Sequence, residues 1–180
     1  AGILATQLHR SPETALLLDC GSEVKAVLHH RGGIIATSLP GFGVFDGVGI
    51  ACGMRPEAGA IEHVRIDTAV HVNVIGESLP RGVCGSGLVA LAAALKTAGI
   101  VTAAGDFTDA APDIAAAGCG APARCVINGE PAFRLYSDAG EFATDIYVTR
   151  DDLRRLQRVK AAVTALLREL ATACGISPAD

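Results

Sequence analysis

Apolar and polar positions follow two different periods along the chain, and each change of period marks an element. Ala15-Leu16-Leu17-Leu18-Asp19 is a short continuous apolar run that leads into Cys20-Gly21-Ser22. It predicts a buried strand followed by a turn. Residues 23–28 mix polar and apolar positions as a partner strand does. Arg31-Gly32-Gly33 is a second turn signal, His29-His30 lies at the hairpin tip, and residues 34–38 supply a third strand. Residues 15–38 thus predict an antiparallel meander. Strand-like alternation returns over 61–66 and 71–75, then near 124–127, 133–136 and 145–148. Helical periodicity takes over twice. Leu88 to Ala98 forms one helix and stops at Gly99, the expected terminator. Leu153, Leu156, Val159, Val163, Leu166, Leu167 and Leu170 form the stripe of a second. Thr149 is its predicted cap, with Asp151 and Asp152 in the first turn. Residues 102–123, rich in Ala, Gly, Pro and Asp, read as a loop-rich insertion. The pattern as a whole is that of a mixed α/β fold with no linker dividing it.

Composition narrows the function classes. Of 180 residues, 50% are hydrophobic and 19% charged, with a formal net charge of −4. That excludes a wholly disordered chain and argues against a general nucleic-acid binder. No apolar run reaches the roughly 20 residues of a membrane span, and no signal peptide is visible. The six cysteines include no C-x-x-C pair. Free thiols in a cytoplasmic protein are the expectation. Cys119 and Cys125 share one loop but lack a second ligand pair, and the five histidines have no metal spacing, so no metal site is expected. The only methionine is Met54, and Ala1 to Leu8 reads as part of a packed helix. The expectation is a piece of a longer protein.

Three segments carry candidate chemistry. Asp19-Cys20-Gly21-Ser22 closes a buried strand. A carboxylate, backbone N–H groups and a hydroxyl there suit a phosphate with Mg²⁺, and an ordinary hairpin turn explains the same residues. Gly85-Ser86-Gly87 opens a helix, whose N-terminus attracts anions. The alternative is that Ser86 is a plain cap and the glycines permit close packing. Arg55 and Glu62 flank a bend in residues 40–60, which hold six glycines. Arg55 faces either Glu62 or a ligand.

The order of these segments carries a resemblance. Leu16 to Ser22, Phe45-Asp46-Gly47, Cys52-Gly53-Met54-Arg55, Gly59-Ala60-Ile61-Glu62, Arg81 to Leu88 and Leu156 to Ala162 follow one another as in the C-terminal domain of the reductive activators of corrinoid proteins. That family belongs to the actin, sugar-kinase and heat-shock-chaperone ATPase (ASKHA) superfamily. The resemblance implies an actin-like (ribonuclease H-like) α/β ATPase subdomain with a mixed sheet and flanking helices, over one domain spanning 1–180. It implies ATP with Mg²⁺ as cofactor, an iron–sulfur cluster in an N-terminal ferredoxin-like domain outside this sequence, and a corrinoid protein as partner, reduced from Co(II) to Co(I). A second copy of the chain is a further candidate partner; nucleic acid and membrane are not. Asp19, Gly21 and Ser22 become phosphate-side residues, with Gly85, Ser86 and Gly87 beside them. Asp46 and Arg55 are assigned to ligand or partner contact. The family segment usually reads Asp-Ile-Gly-Thr-Asn-Gly-Glu; here Ser22 keeps the hydroxyl and Lys25 replaces the acid. The chain also ends before the Gly-Gly segment that contacts adenosine in the superfamily. Two other readings stand beside this one: a docking module for a corrinoid protein with a decayed nucleotide site, and a small-molecule kinase of the same superfamily.

Overall fold

The computed structural model describes residues 2–109, 113–139 and 144–176. In chain order the first elements are α1 (Gly2–Ala5), β1 (Ala15–Cys20), β2 (Glu23–His30), β3 (Gly33–Pro40), β4 (Ala60–Ile66), β5 (Val70–Val74) and β6 (Gly82–Val83). They continue with α2 (Gly85–Thr97), β7 (Ala117–Gly118), β8 (Arg124–Ile127), β9 (Glu130–Ser137), β10 (Asp145–Thr149) and α3 (Arg150–Ala173). These fall into two compact units, Ala1–Gly43 with Arg158–Asp180, and Val44–Gln157.

The first unit is the predicted meander, but β1 is not the buried strand expected: none of its residues is buried, and Leu16 and Leu18 are exposed because β1 is an edge strand. β1, β2 and β3 pair antiparallel in that order, with Leu16 opposite Leu28 and Leu28 opposite Ile35. The middle strand is covered on both faces, since Val24, Ala26, Val27, Leu28 and His29 are all buried. One face packs on the later part of α3, where Ala26, Leu28 and Leu170 form a cluster bordered by Leu166, Leu167, Cys174 and Ile176. α3 ends in a Schellman closure. Ile176 N–H donates to the Ala171 carbonyl at 2.9 Å and Gly175 N–H to Thr172 at 3.0 Å, with Gly175 at φ 67°. The packed helix expected over residues 1–8 is not there. α1 is one turn with no buried residue, and Leu4 is 71% exposed. Gln7 at φ 54° breaks the helix before Leu8, the one buried apolar residue among the described residues 2–8. A single turn opened by Gly2 has too few internal hydrogen bonds to offset its nucleation cost.

The second unit holds two sheets. β4 is central in one, antiparallel to β5 and parallel to β6. α2 covers this sheet through Leu88, Leu91 and Leu95, each fully buried together with Ile61 and Val83. α2 ends as predicted at Gly99, φ 70°, with Ile100 N–H bonded to the Leu95 carbonyl at 2.9 Å. The other sheet orders β10, β9 and β7, with β8 also on β9. Phe133, Leu135, Ile146 and Val148 fill its core. The described part of the loop-rich 102–123 segment is held by isolated bridges such as Val101 with Phe107 and Ala69 with Ala115.

Candidate functional site

In the first unit the β1–β2 turn is tight because Gly21 N–H donates to the Glu23 carbonyl at 3.1 Å. Gly41 N–H braces the turn from behind, donating to the Ser22 carbonyl at 2.8 Å. A Cβ on Gly41 would collide with the Gly21 carbonyl oxygen and lie 2.9 Å from that of Ser22. Glycine is therefore the residue that lets β3 close against the turn. Asp19 and Ser22 are both exposed, and their side chains make no hydrogen bond or ion pair among the described residues. Lys25 stands opposite Asp19 in the ladder but pairs with Glu23 at 3.6 Å. A carboxylate and a hydroxyl thus flank a glycine turn without internal partners, a set that fits a hydrated Mg²⁺ and phosphate oxygens.

The other candidates lie in the second unit. α2 begins after Cys84, which has extended backbone (φ −88°, ψ 173°) and no side-chain cap bond. Ser86 sits inside the helix, exposed, with its Oγ 3.2 Å from Cys84 Sγ, so the reading of Ser86 as the cap is corrected. Gly85 and Gly87 are buried. A Cβ on Gly85 would strike the Phe45 backbone, 2.8 Å from its Cα, and one on Gly87 would strike Ile61, 2.9 Å from its carbonyl carbon. Close packing accounts for both glycines. The upstream segment interlocks in the same way. A Cβ on Gly53 would lie 2.8 Å from the Gly47 carbonyl carbon, and one on Gly82 would lie 2.7 Å from the Cys52 carbonyl oxygen. Asp46 is half-buried in a 3₁₀ turn, Val44–Asp46. Arg55 and Glu62 are exposed and form no ion pair with each other among the described residues.

One carboxylate of consequence escaped sequence reasoning as a tether. Asp152 is 3% exposed. Its Oδ2 accepts from Thr149 N–H and Thr149 Oγ1–H, both at 2.8 Å, and Thr149 Oγ1 accepts from Asp152 N–H at 3.2 Å. This is the reciprocal capping box at the start of α3. Asp152 Oδ1 additionally accepts from Ala51 N–H at 3.0 Å, which fastens the glycine-rich segment to the helix start. The cap was legible as Thr149 followed by two acids. The bond to residue 51, a hundred positions upstream, has no local signal.

The thiols divide by environment. All six cysteines are free. Burial pushes the Cys52 and Cys125 thiols up. Exposed Cys119 is held below its ordinary value, first by the Ser137 hydroxyl and then by the Ala121 backbone. The Ser137 hydroxyl, followed by the Arg134 guanidinium, likewise holds the Asp145 carboxyl below its ordinary value. Among the described residues no group of three or more His, Cys, Asp or Glu side chains could hold a metal ion, and no helix is long and apolar enough to cross a membrane.

The β4–β5 hairpin has a charged tip. Asp67 accepts from His71 Nε2 at 2.9 Å, from Ala69 N–H at 3.1 Å and from Arg65. The His71 bond, the Ala69 amide and the Arg65 guanidinium hold this exposed carboxyl well below the usual carboxylate range. A depressed folded value means the tip's contribution is present above the unfolded pKa of about 3.9 and is lost as pH falls through the folded value. A carbon-13 NMR titration of the Asp67 carboxyl should show it still ionised at pH about 3, where a free aspartate is mostly protonated. A midpoint near the ordinary value would refute the arrangement.

Residues 13–180 match the family described as the C-terminal domain of RACo, the ASKHA domain. The corrinoid activation enzyme RamQ of Eubacterium limosum is 30% identical over 164 residues, covering 87% of this chain and 26% of RamQ. The solved structure of a reductive activator for corrinoid, iron-sulfur protein is similar with a TM-score of 0.80 at 30% identity, over 98% of this chain and 28% of that one. The chain spans about a quarter of the length of these two relatives (26% and 28%).

Proposed function

The chain belongs to the family of RACo C-terminal ASKHA domains, and from that premise we propose that it is the nucleotide- and partner-binding part of an ATP-dependent activator, one that brings the cobalt of a protein-bound corrinoid from Co(II) to Co(I) for methyl transfer. The observation that carries this reading is the family match over residues 13–180, together with two named relatives that are corrinoid activators. When bound, Mg-ATP would supply binding energy that favours one conformational state of the complex. The work of this chain's residues is recognition. The Asp19 carboxylate would hold the hydrated Mg²⁺, and the Ser22 hydroxyl at the glycine turn would contact phosphate oxygens, the Gly21 N–H being taken by the Glu23 carbonyl. The Gly85–Gly87 amides at the α2 N-terminus are the secondary phosphate contact. Asp46 and Arg55 meet the ligand or the corrinoid protein. The iron–sulfur cluster that delivers the electron belongs to a ferredoxin-like domain of the longer protein, a cytoplasmic one.

Calorimetric titration of Mg-ATP into the full-length protein tests the nucleotide part. A saturable heat is expected, weakened at least ten-fold in Asp19→Ala. Absence of heat in the unaltered protein would overturn it. The second reading, a corrinoid-protein docking module without nucleotide, is favoured by the packing of Gly85 and Gly87 against Phe45 and Ile61, which leaves their Cβ positions no room for a ligand. It predicts corrinoid-protein binding with no Mg-ATP heat.

A further inference from the structure

A concave site lies in the first unit, apart from the β1–β2 turn. It is a cleft of about 450 Å³ between the meander and the end of α3, within the size range of small-molecule sites. Leu16, Leu28, Leu167, Leu170 and Ile176 make its apolar walls. Leu28 and Leu170 are buried, whereas Leu16 remains 48% exposed. The polar groups are few and sit together at the β2–β3 turn: Thr14, His30 and Arg31. Thr14 Oγ1 lies 2.7 Å from His30 Nδ1. In the tautomer in which the hydroxyl donates to Nδ1, Nε2 carries the ring hydrogen and is a donor.

Arg31 is the unusual member. It occupies the left-handed region at φ 49°, followed by Gly32 at φ 78°, in a tight turn between two strands. That position favours Asn, Asp or Gly, because a side chain with a Cβ is strained there. An arginine at such a place calls for a reason outside the turn. It forms no ion pair and no side-chain hydrogen bond among the described residues. The carbonyls of Ala171 and Thr172 at the end of α3 accept from Ile176 and Gly175 instead.

We propose that this cleft binds a small amphipathic anion, a single alkyl chain bearing a carboxylate. The chain would lie along the leucines and Ile176, and the carboxylate would meet the Arg31 guanidinium with the His30 Nε2–H beside it. Charge complementarity selects the head and the apolar walls select the tail. The site is independent of the nucleotide reading.

Decanoate, decanol and decyltrimethylammonium are the probes, titrated by calorimetry into the protein and into Arg31→Gly, with thermal melts by circular dichroism. Decanoate should bind at least ten-fold more tightly than either of the others. Arg31→Gly should remove that preference while leaving decanol binding unchanged. The same substitution should raise the melting temperature, because glycine relieves the strain at φ 49°. A purely structural arginine would lower the melting temperature and leave the decanoate preference intact. Equal affinities for decanoate and decanol, an unaltered preference in Arg31→Gly, or no binding of decanoate would each overturn the proposal.

Discussion

Replacing Gly87 with alanine is expected to destabilise the second unit by about 3 kcal/mol, near the upper end of what overpacking costs. The new methyl group would press on the Ile61 carbonyl, and Ile61 is fully buried on the central strand β4. The nearest obstruction is the Ile61 backbone, and the Cγ2 of buried Val83 lies 3.0 Å away, so neither neighbour is the far end of a flexible side chain that could move aside. The helix-propensity gain of Gly to Ala, at most about 1 kcal/mol, opposes this and does not cancel it. Gly99→Ala is the control. It strains φ 70° but meets nothing within 4 Å, so it should cost about 1 kcal/mol. Urea denaturation of both variants measures the difference. If Gly87→Ala were as stable as the unaltered chain, packing would no longer explain this glycine. The anion-binding reading of residues 85–87 would then gain.

Asp152→Ala is expected to cost a similar amount, about 3 kcal/mol, by a different route. Three donors lose their acceptor at once: the N–H groups of Ala51 and Thr149 and the Thr149 hydroxyl. Thr149→Ala removes the cap alone and should cost about 1 kcal/mol. The excess of the first over the second holds the bond to Ala51 together with the backbone N–H bond of residue 149, which survives Thr149→Ala. Equal losses would mean that the bond to Ala51 contributes nothing. Hydrogen exchange at the Ala51 amide gives the same answer locally, since it should quicken in Asp152→Ala and stay slow in Thr149→Ala.

Much of the architecture was legible in the sequence because its elements are bounded by strong local signals. The meander followed from the apolar run 15–18 and the turns at 21–22 and 31–33. α2 followed from Gly99, and α3 from Thr149 and its leucine stripe. The α/β, actin-like fold class stands with the family match and the solved relative. Where the reading failed, the signal was weak or tertiary. The apolar residues of 1–8 mimic a helix face, yet Gln7 turns left-handed and the helix stops after one turn. Ser86 resembles a cap, but the chain enters the helix two residues earlier. The candidate site was legible only in part. The tight turn at Gly21 was legible, and Asp19 and Ser22 lie exposed on either side of it. The sequence of residues 82–87 carries no sign that Phe45 and Ile61 occupy the space beside two of its glycines, because that contact depends on backbone tens of positions away.

The interlocked glycines have a consequence for any mutational survey of this family. A saturation library would return Gly47, Gly53, Gly82, Gly85 and Gly87 as a block of intolerant positions clustered in space and bordering motif-like strings. Such a block has the statistical profile of a catalytic centre. Its cause here is steric exclusion between peptide groups, with no reacting atom involved. Scoring each variant for abundance alongside activity would separate the two. These glycines should lose protein and activity together, whereas Asp19 should lose activity with its abundance intact.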